Sequence, residues 1–215
     1  MTIARVDAVR LTSLAEELAD LLVDTVDDGA SVGFLGPLDR TAAIAWWKAW
    51  ADGVAEGRLA VWVAREQRPV AKEAGREAPP SAQGADPEVP PVGTAGSGTL
   101  PVEGAGRVVG TVSLAFPDKP NSRHRAELVK LMVHRAARGQ GLGRRLLATA
   151  ERTAAASGIT LLHLDTETDS GAERLYAAEG WTRVGAIPNY AADPHGVPRP
   201  TSIYFKRIGA TPLTR

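Results

Sequence analysis

Three glycines alternate with larger residues in Arg138-Gly139-Gln140-Gly141-Leu142-Gly143, and Arg144 and Arg145 set positive charge beside them. Glycine at that spacing lets backbone N–H groups approach an anion without a Cβ in the way. A helix beginning at this turn would add its free N–H groups and the positive end of its dipole, so the chemistry on offer is the binding of a phosphate. Two familiar phosphate-binding patterns do not fit. A P-loop follows its last glycine with lysine and then serine or threonine, where this chain has Arg144-Arg145. A dinucleotide fingerprint sets its third glycine two residues further on, even though Asp165 follows at about the ~20-residue distance of its acidic partner. A glycine-rich turn with no ligand is the plain alternative.

Such a turn must be held between a strand and a helix. Ala126 to Val133 reads as the strand, and Gly141 to Ser157 as the helix, with Leu142, Leu146, Leu147, Ala150 and Ala154 on its buried face. A strand over Thr160 to Thr166, a helix over Ser170 to Glu179, a strand over Trp181 to Ile187, a loop and a strand over Thr201 to Lys206 follow. Upstream, a strand is centred on Ile3 to Leu11. Ser13-Leu-Ala-Glu16 then has the form of a capping box. Leu14, Leu18, Leu21 and Leu22 mark an amphipathic helix that fades at Asp27-Asp28-Gly29, before a glycine-rich loop to Pro37. Asp39 caps a second helix, whose Ala43, Trp46, Trp47, Trp50 and Val54 share a face that reads as core. Strands at Leu59 to Ala64 and Arg107 to Phe116 complete the order. It predicts an α/β (α+β) fold with a mixed sheet, antiparallel early and with a parallel crossover late.

Composition narrows the function. Lysine plus arginine balance aspartate plus glutamate, 25 against 25, which argues against a sequence-independent grip on nucleic acid. The absence of cysteine excludes disulfides, cysteine-ligated zinc and a cysteine nucleophile. His134 and His163 have no partner histidine at metal-ligand spacing, so no metal is expected; they read as solvent-facing and core residues respectively. The N-terminus lacks the features of a signal peptide and no apolar run approaches the ~18 residues of a membrane span. The expectation is therefore a cytoplasmic protein without a membrane partner. Residues 67–105 hold seven of the fifteen prolines and no aromatic residue, and read as a disordered insertion within a β-hairpin of a single domain spanning 1–215.

Arg138-Gly-Gln-Gly-Leu-Gly-Arg-Arg-Leu-Leu147, following Lys130-Leu-Met-Val133, resembles the Arg/Gln-x-x-Gly-x-Gly/Ala motif of the GNAT superfamily of N-acetyltransferases. Leu175-Tyr-Ala-Ala-Glu-Gly-Trp181 resembles a second segment of that superfamily, Leu-Tyr-x-x-x-Gly-Phe/Trp, and stands in the right order after the first. This general similarity spans roughly Val108 to Arg207. Gly29-Ala-Ser-Val-Gly-Phe34, Arg125-Ala-Glu127, Leu161-Leu-His-Leu-Asp-Thr-Glu167 and Pro200-Thr-Ser-Ile-Tyr-Phe-Lys206 look more narrowly like the tabtoxin-resistance acetyltransferases, which acetylate an amino-acid-like β-lactam toxin. The insertion, Asn189 beside Tyr190, and Ala177-Ala-Glu-Gly-Trp181 depart from that narrower pattern.

The resemblance implies a strongly twisted sheet of about seven strands flanked by four helices. It also implies acetyl-coenzyme A as co-substrate and a small-molecule primary amine as acceptor, with a homodimer compatible. Cofactor contacts then fall to Met132, Val133, Arg138, Gly139, Gln140, Gly141, Leu142, Gly143 and Arg144. An amine must lose a proton before attack. Glu127 is the first candidate base; its alternative is a carboxylate paired with Arg125 or Lys130 on a solvated strand face. Asp165 is either a second base, a holder of the acceptor's ammonium group or a loop cap. Tyr176, at a position that lies near the sulfur in GNAT relatives, is the candidate acid for the departing thiolate; its alternative is a core aromatic. Ser31 and Phe34, in a loop that either covers a pocket or simply connects helices, and Asn189 and Tyr190 near the last strand, are the substrate-binding candidates. His195 shares their loop. A protein or peptide acetyltransferase and a regulatory module that binds acetyl-coenzyme A without turnover are the competing functions.

Overall fold

The computed structural model describes residues 1–66 and 106–209. The expected insertion at 67–105 therefore lies outside the described residues. Seven strands form one sheet: β1 (Thr2–Val6), β2 (Leu59–Arg65), β3 (Val108–Ala115), β4 (Arg125–Val133), β5 (Leu161–Glu167), β6 (Thr182–Ala192) and β7 (Pro198–Arg207). Their spatial order is β1-β2-β3-β4-β5-β7-β6. Every neighbouring pair is antiparallel except β4 and β5, which run parallel.

The helices are α1 (Ala8–Ser13), α2 (Ala15–Asp27), α3 (Arg40–Ala55), α4 (Leu142–Ala156) and α5 (Gly171–Ala178). They cover both faces of the sheet. Period-two alternation along β2 sends Val61 and Val63 into a core with α1, α2 and α3, and Ala60, Trp62 and Ala64 into a core with α4 and α5. Trp47 is fully buried in the first core and its indole N–H donates to the Leu18 carbonyl at 3.1 Å. The tryptophan stripe is thus core at Trp47 and partly buried at Trp46 and Trp50. No described helix is long and apolar enough to cross a membrane.

Three local expectations are corrected. The first strand ends at Val6 rather than running to Leu11, because Asp7 accepts the Arg10 N–H at 2.7 Å and caps α1. This adds a fifth helix to the expected four, and its Leu11 is fully buried. The Ser13–Glu16 capping box does not form: Ser13 Oγ donates instead to the Arg10 carbonyl at 2.8 Å, and Leu14 alone separates α1 from α2. The loop expected before the last strand is a long β6–β7 hairpin. Pro188 lies on the outer strand, and Pro198 and Pro200 lie beyond the last β5–β7 pair, Glu167 with Thr201, so no inner ladder loses a donor to them. Asp39 does cap α3, accepting the Ala42 N–H at 2.8 Å.

Candidate active site

β4 and β5 pair only through Arg125–Leu161, Ala126–Leu162 and Glu127–His163. Beyond that point β4 continues along β3 while β5 continues along β7. A wedge opens between them, and the backbone edge of Leu128 to Val133 forms one of its sides. β4 also bulges here. Thr111 pairs with Met132 and Ser113 with Val129, leaving Lys130 and Leu131 against the single residue Val112. Lys130 takes φ 53° at the bulge. Met132 is anchored by a side chain buried in the α1–α3 core.

The glycine turn closes the wedge at its open end. Gly139 and Gly141 take φ 74° and 71°, a region that favours glycine, and a Cβ on either would meet nothing within 4 Å. Gly141 is the N-cap of α4 and supplies no side-chain acceptor, so the first-turn N–H groups of Leu142, Gly143 and Arg144 are left for a ligand or water. A Cβ on Gly143 would stand 3.3 Å from Leu175 Cδ2 and 3.8 Å from Val133 Cγ2, so close packing of α4 on the motif at Leu175 asks for glycine there. Leu142 is buried beneath the turn. Gln140 Nε2 donates to the Ala136 carbonyl at 3.5 Å. Arg138 is tied down twice, to Asp28 by an ion pair and to the Val133 carbonyl at 3.1 Å. Arg144 and Arg145, expected at the mouth for phosphates, are held by Glu179 and by the Met1 carbonyl respectively.

Glu127 is half-buried and Asp165 exposed, and neither carboxylate has a hydrogen bond or ion pair among the described residues. The two cations that could have paired with Glu127 have other partners. Arg125 Nη1 donates to His163 Nε2 at 2.7 Å, and Lys130 Nζ donates to the Val32 carbonyl at 2.6 Å. His163 is therefore no core residue: Leu162 and Leu164 face the α4 core, and the strand's alternation turns His163 to the other face with Asp165. Burial lowers the His163 pKa and the Arg125 charge lowers it further, against Glu127 and Asp165, which raise it. Accepting from Arg125 places the ring proton on Nδ1. Burial likewise lowers the Lys130 ammonium, with Asp165 and Glu127 opposing. His134 also departs from expectation. Rather than facing solvent, its Nδ1 accepts the Ala136 N–H at 3.1 Å and its Nε2 lies 3.5 Å from Asp24 Oδ1, fixing the start of the turn.

Tyr176 lies on α5, buried between Trp181 and Tyr204 at ring-centre distances of 5.7 and 6.2 Å. Burial pushes its phenol up, and the Asp165 charge adds to this, so the hydroxyl keeps its proton at neutral pH. The rest of its motif ends the helix. Gly180 takes φ 77°, its N–H donates to the Ala177 carbonyl at 3.2 Å, and the Trp181 N–H donates to the Tyr176 carbonyl at 3.0 Å. Glu173 fixes the same helix to β7. Burial would raise its carboxyl, yet hydrogen bonds from Ser202, the Asp169 backbone and Tyr204, with the Arg183 charge, hold it low. No sequence motif marked that residue; only Ser170 at its N-cap, three positions earlier, hinted at it.

Of the acceptor-side candidates, Phe34 stands beside Lys130. It packs edge-on against Trp46 at 5.2 Å, and Lys130 Nζ stands 5.4 Å from the centre of each ring. Ser31 is half-buried in the same α2–α3 loop. That loop is tied to the β6–β7 hairpin, since the Gly36 N–H donates to the Pro194 carbonyl at 2.8 Å. Asn189, at φ 52°, and Tyr190, 54% exposed, stand on the strand of that hairpin rather than in a loop; His195 is exposed at its turn. Among the described residues no group of His, Asp or Glu side chains could hold a metal ion.

The model of the acetyltransferase (GNAT) family matches residues 63–181. Three solved structures share the fold. A protein of Salmonella typhimurium, yncA, described as an acetyltransferase and solved with its cofactor acetyl-CoA, is 18% identical with a TM-score of 0.63, covering 100% of this chain and 98% of its own. A ribosomal-protein-alanine N-acetyltransferase from Brucella melitensis is 20% identical with a TM-score of 0.61, over 97% and 100% of the two chains. A protein described as a phosphinothricin N-acetyltransferase is 18% identical with a TM-score of 0.64, over 96% and 98%. At these identities the likeness is one of fold.

Proposed function

The chain belongs to the GNAT family of acetyltransferases, and from that premise we propose that it moves the acetyl group of acetyl-coenzyme A directly to the primary amine of a small molecule. The observation that carries the reading is the wedge between β4 and β5. It has an uncapped helix start at one end and two carboxylates without protein partners, Glu127 and Asp165, at the other.

Transfer from a thioester to an amine needs a held donor, a neutral amine, a stabilised oxyanion and a proton for the thiolate. The first-turn N–H groups of α4 and the turn Arg138 to Gly143 are shaped for a pyrophosphate, and the chain supplies no side-chain cap to compete with it. Arg144 would have to leave Glu179 to join them. The free edge of β4 at Met132 and Val133 offers backbone groups to the amide-bearing arm of the donor, and a backbone N–H there faces the developing oxyanion. Glu127 accepts the amine proton, directly or through water. Asp165 attracts the incoming ammonium. Tyr176, which keeps its proton at neutral pH, protonates the leaving thiolate.

Ser31, Phe34, Asn189 and Tyr190 surround the acceptor on this reading. The α2–α3 loop is fastened at Val32 and at Gly36, which supports a closed pocket for a small acceptor over an open groove for a polypeptide. The finer reading is an amino-acid-like toxin or antibiotic of the tabtoxinine-β-lactam type. Its support is the resemblance at Gly29–Phe34 and Leu161–Glu167 and the shared fold of a protein described as a phosphinothricin N-acetyltransferase. Thiol release from acetyl-coenzyme A, measured over a panel of small amines and peptides, tests it. Release with small amines is expected; release only with peptides would transfer the reading to a protein acetyltransferase. Tight binding of acetyl-coenzyme A without release for any acceptor would leave a regulatory module.

A further inference from the structure

We propose that Lys130 selects the acceptor by binding a carboxylate carried on the same molecule as the reacting amine. The substrate class is then an α-amino acid or a close analogue rather than a simple amine or a diamine. This rests on the wedge being the acetyl-transfer site.

Lys130 is unusual in three independent respects. Its backbone lies at φ 53°, a region in which a residue with a Cβ is strained and in which lysine, unlike asparagine or aspartate, has no short polar group to bond locally. The bulge of β4 imposes that conformation and turns the side chain towards the α2–α3 loop. Its ammonium is next to two aromatic rings, Phe34 and Trp46, and donates to a backbone carbonyl, that of Val32. Among the described residues no carboxylate lies within 4 Å of it. An ammonium has three N–H donors, and Val32 uses one.

A half-buried cation without a counter-ion is costly to hold, and the two rings offset only part of that cost. The charges that help Lys130 keep its proton come from Asp165 on β5 and from Glu127, earlier on β4 itself, and neither carboxylate has a hydrogen bond or ion pair among the described residues. The site thus holds charges of both signs that form no ion pair with each other among the described residues. Two carboxylates attract an ammonium, and one lysine is left to attract an anion. A zwitterion laid between them completes both, with its amine at the base and its carboxylate at Lys130. A neutral amine completes only one, and a diamine sets a cation against Lys130. Gly33, at φ 88°, brings the loop close enough that a Cβ there would stand 3.3 Å from Lys130 Nζ, so the loop and the ammonium are fitted to each other.

The test uses matched pairs of α-amino acids and their uncharged amides as acceptors for the full chain, with thiol release as readout. The wild type should prefer the acids. In Lys130→Met the ratio of kcat/KM for acid over amide should fall roughly ten- to a hundredfold, chiefly through KM for the acid, as expected for loss of a hydrogen bond to a charged group. Lys130→Arg should recover part of the ratio. A ratio unchanged in Lys130→Met, with acetylation continuing, would show that Lys130 only fastens the loop and would overturn the proposal while leaving the acetyltransferase reading intact. A wild type that acetylates acids and amides equally overturns it without any variant. Acetylation of peptides but of neither small acceptor overturns the small-molecule reading as well.

Discussion

Glu127 and His163 face each other as the last in-register pair between two parallel strands, and the strands part immediately beyond them. A carboxylate without a protein partner therefore stands beside an imidazole whose pKa is lowered by burial and by Arg125, against the charge of Glu127 itself.

If Glu127 takes the amine proton, Glu127→Gln should lower kcat by roughly a hundredfold near neutral pH. An amine titrates near ~10, so the deficit should shrink as the pH approaches that value and the acceptor deprotonates unaided. Asp165→Asn should raise KM for the acceptor more than it lowers kcat. Rate profiles from neutral to alkaline pH decide this, and a deficit for Glu127→Gln that stays constant with pH would remove its role as the base.

Tyr176→Phe keeps the ring between Trp181 and Tyr204 and removes only the hydroxyl. If the hydroxyl serves the leaving thiolate and not the bound donor, turnover should fall by roughly a hundredfold while the Kd for acetyl-coenzyme A stays near the wild-type value. Titration calorimetry beside steady-state rates checks it. Equal turnover would reduce Tyr176 to packing.

Gly141 separates conformation from crowding, because a Cβ there has open space yet φ is 71°. Gly141→Ala forces a side chain into a region that costs about 1–2 kcal/mol, so the Kd for acetyl-coenzyme A should rise roughly tenfold as the turn distorts. Gly141→Asn, which tolerates that region, should lose less. Normal affinity in both variants would mean that the turn does not carry the pyrophosphate.

The parts of the site that could be read beforehand are those written in contiguous residues. The turn at Arg138–Gly143 and the Tyr176–Trp181 helix end are local codes, and the structure builds both where the spacing put them. In the sequence Lys130 reads only as a partner for Glu127. Its backbone conformation depends on a bulge, and a bulge is decided by the pairing of β4 with β3, a relation between residues nearly twenty positions apart in the chain. His163 was legible in principle: Leu162 and Leu164 on one face leave His163 and Asp165 on the other. At the N-terminus, Asp7 as a helix cap outweighed a strand-like run. In the β6–β7 hairpin, prolines that suggest a loop are tolerated because they lie where no inner strand needs their N–H.

His163 also sets a pH dependence that can be separated from that of the carboxylates. Its folded-state pKa lies below the ordinary value of 6.5, so on acidification the unfolded chain takes up a proton that the folded chain resists. The stability associated with it is complete above the ordinary histidine pKa and is lost as the pH falls through the lower, folded value. Asp24, Glu173 and Asp193 are held low as well, so their contributions are also lost on acidification, but only below the ordinary carboxylate range near ~4. The first window opens below 6.5 and the second below about 4. Thermal melts of the wild type should therefore show Tm declining as the pH falls below the ordinary histidine value of 6.5, with a second decline below about pH 4. In His163→Asn the first decline should flatten and the second remain. A first decline that persists unchanged in the variant would show that the imidazole at the apex of the wedge is free to charge, and that burial beside Arg125 does not hold it neutral.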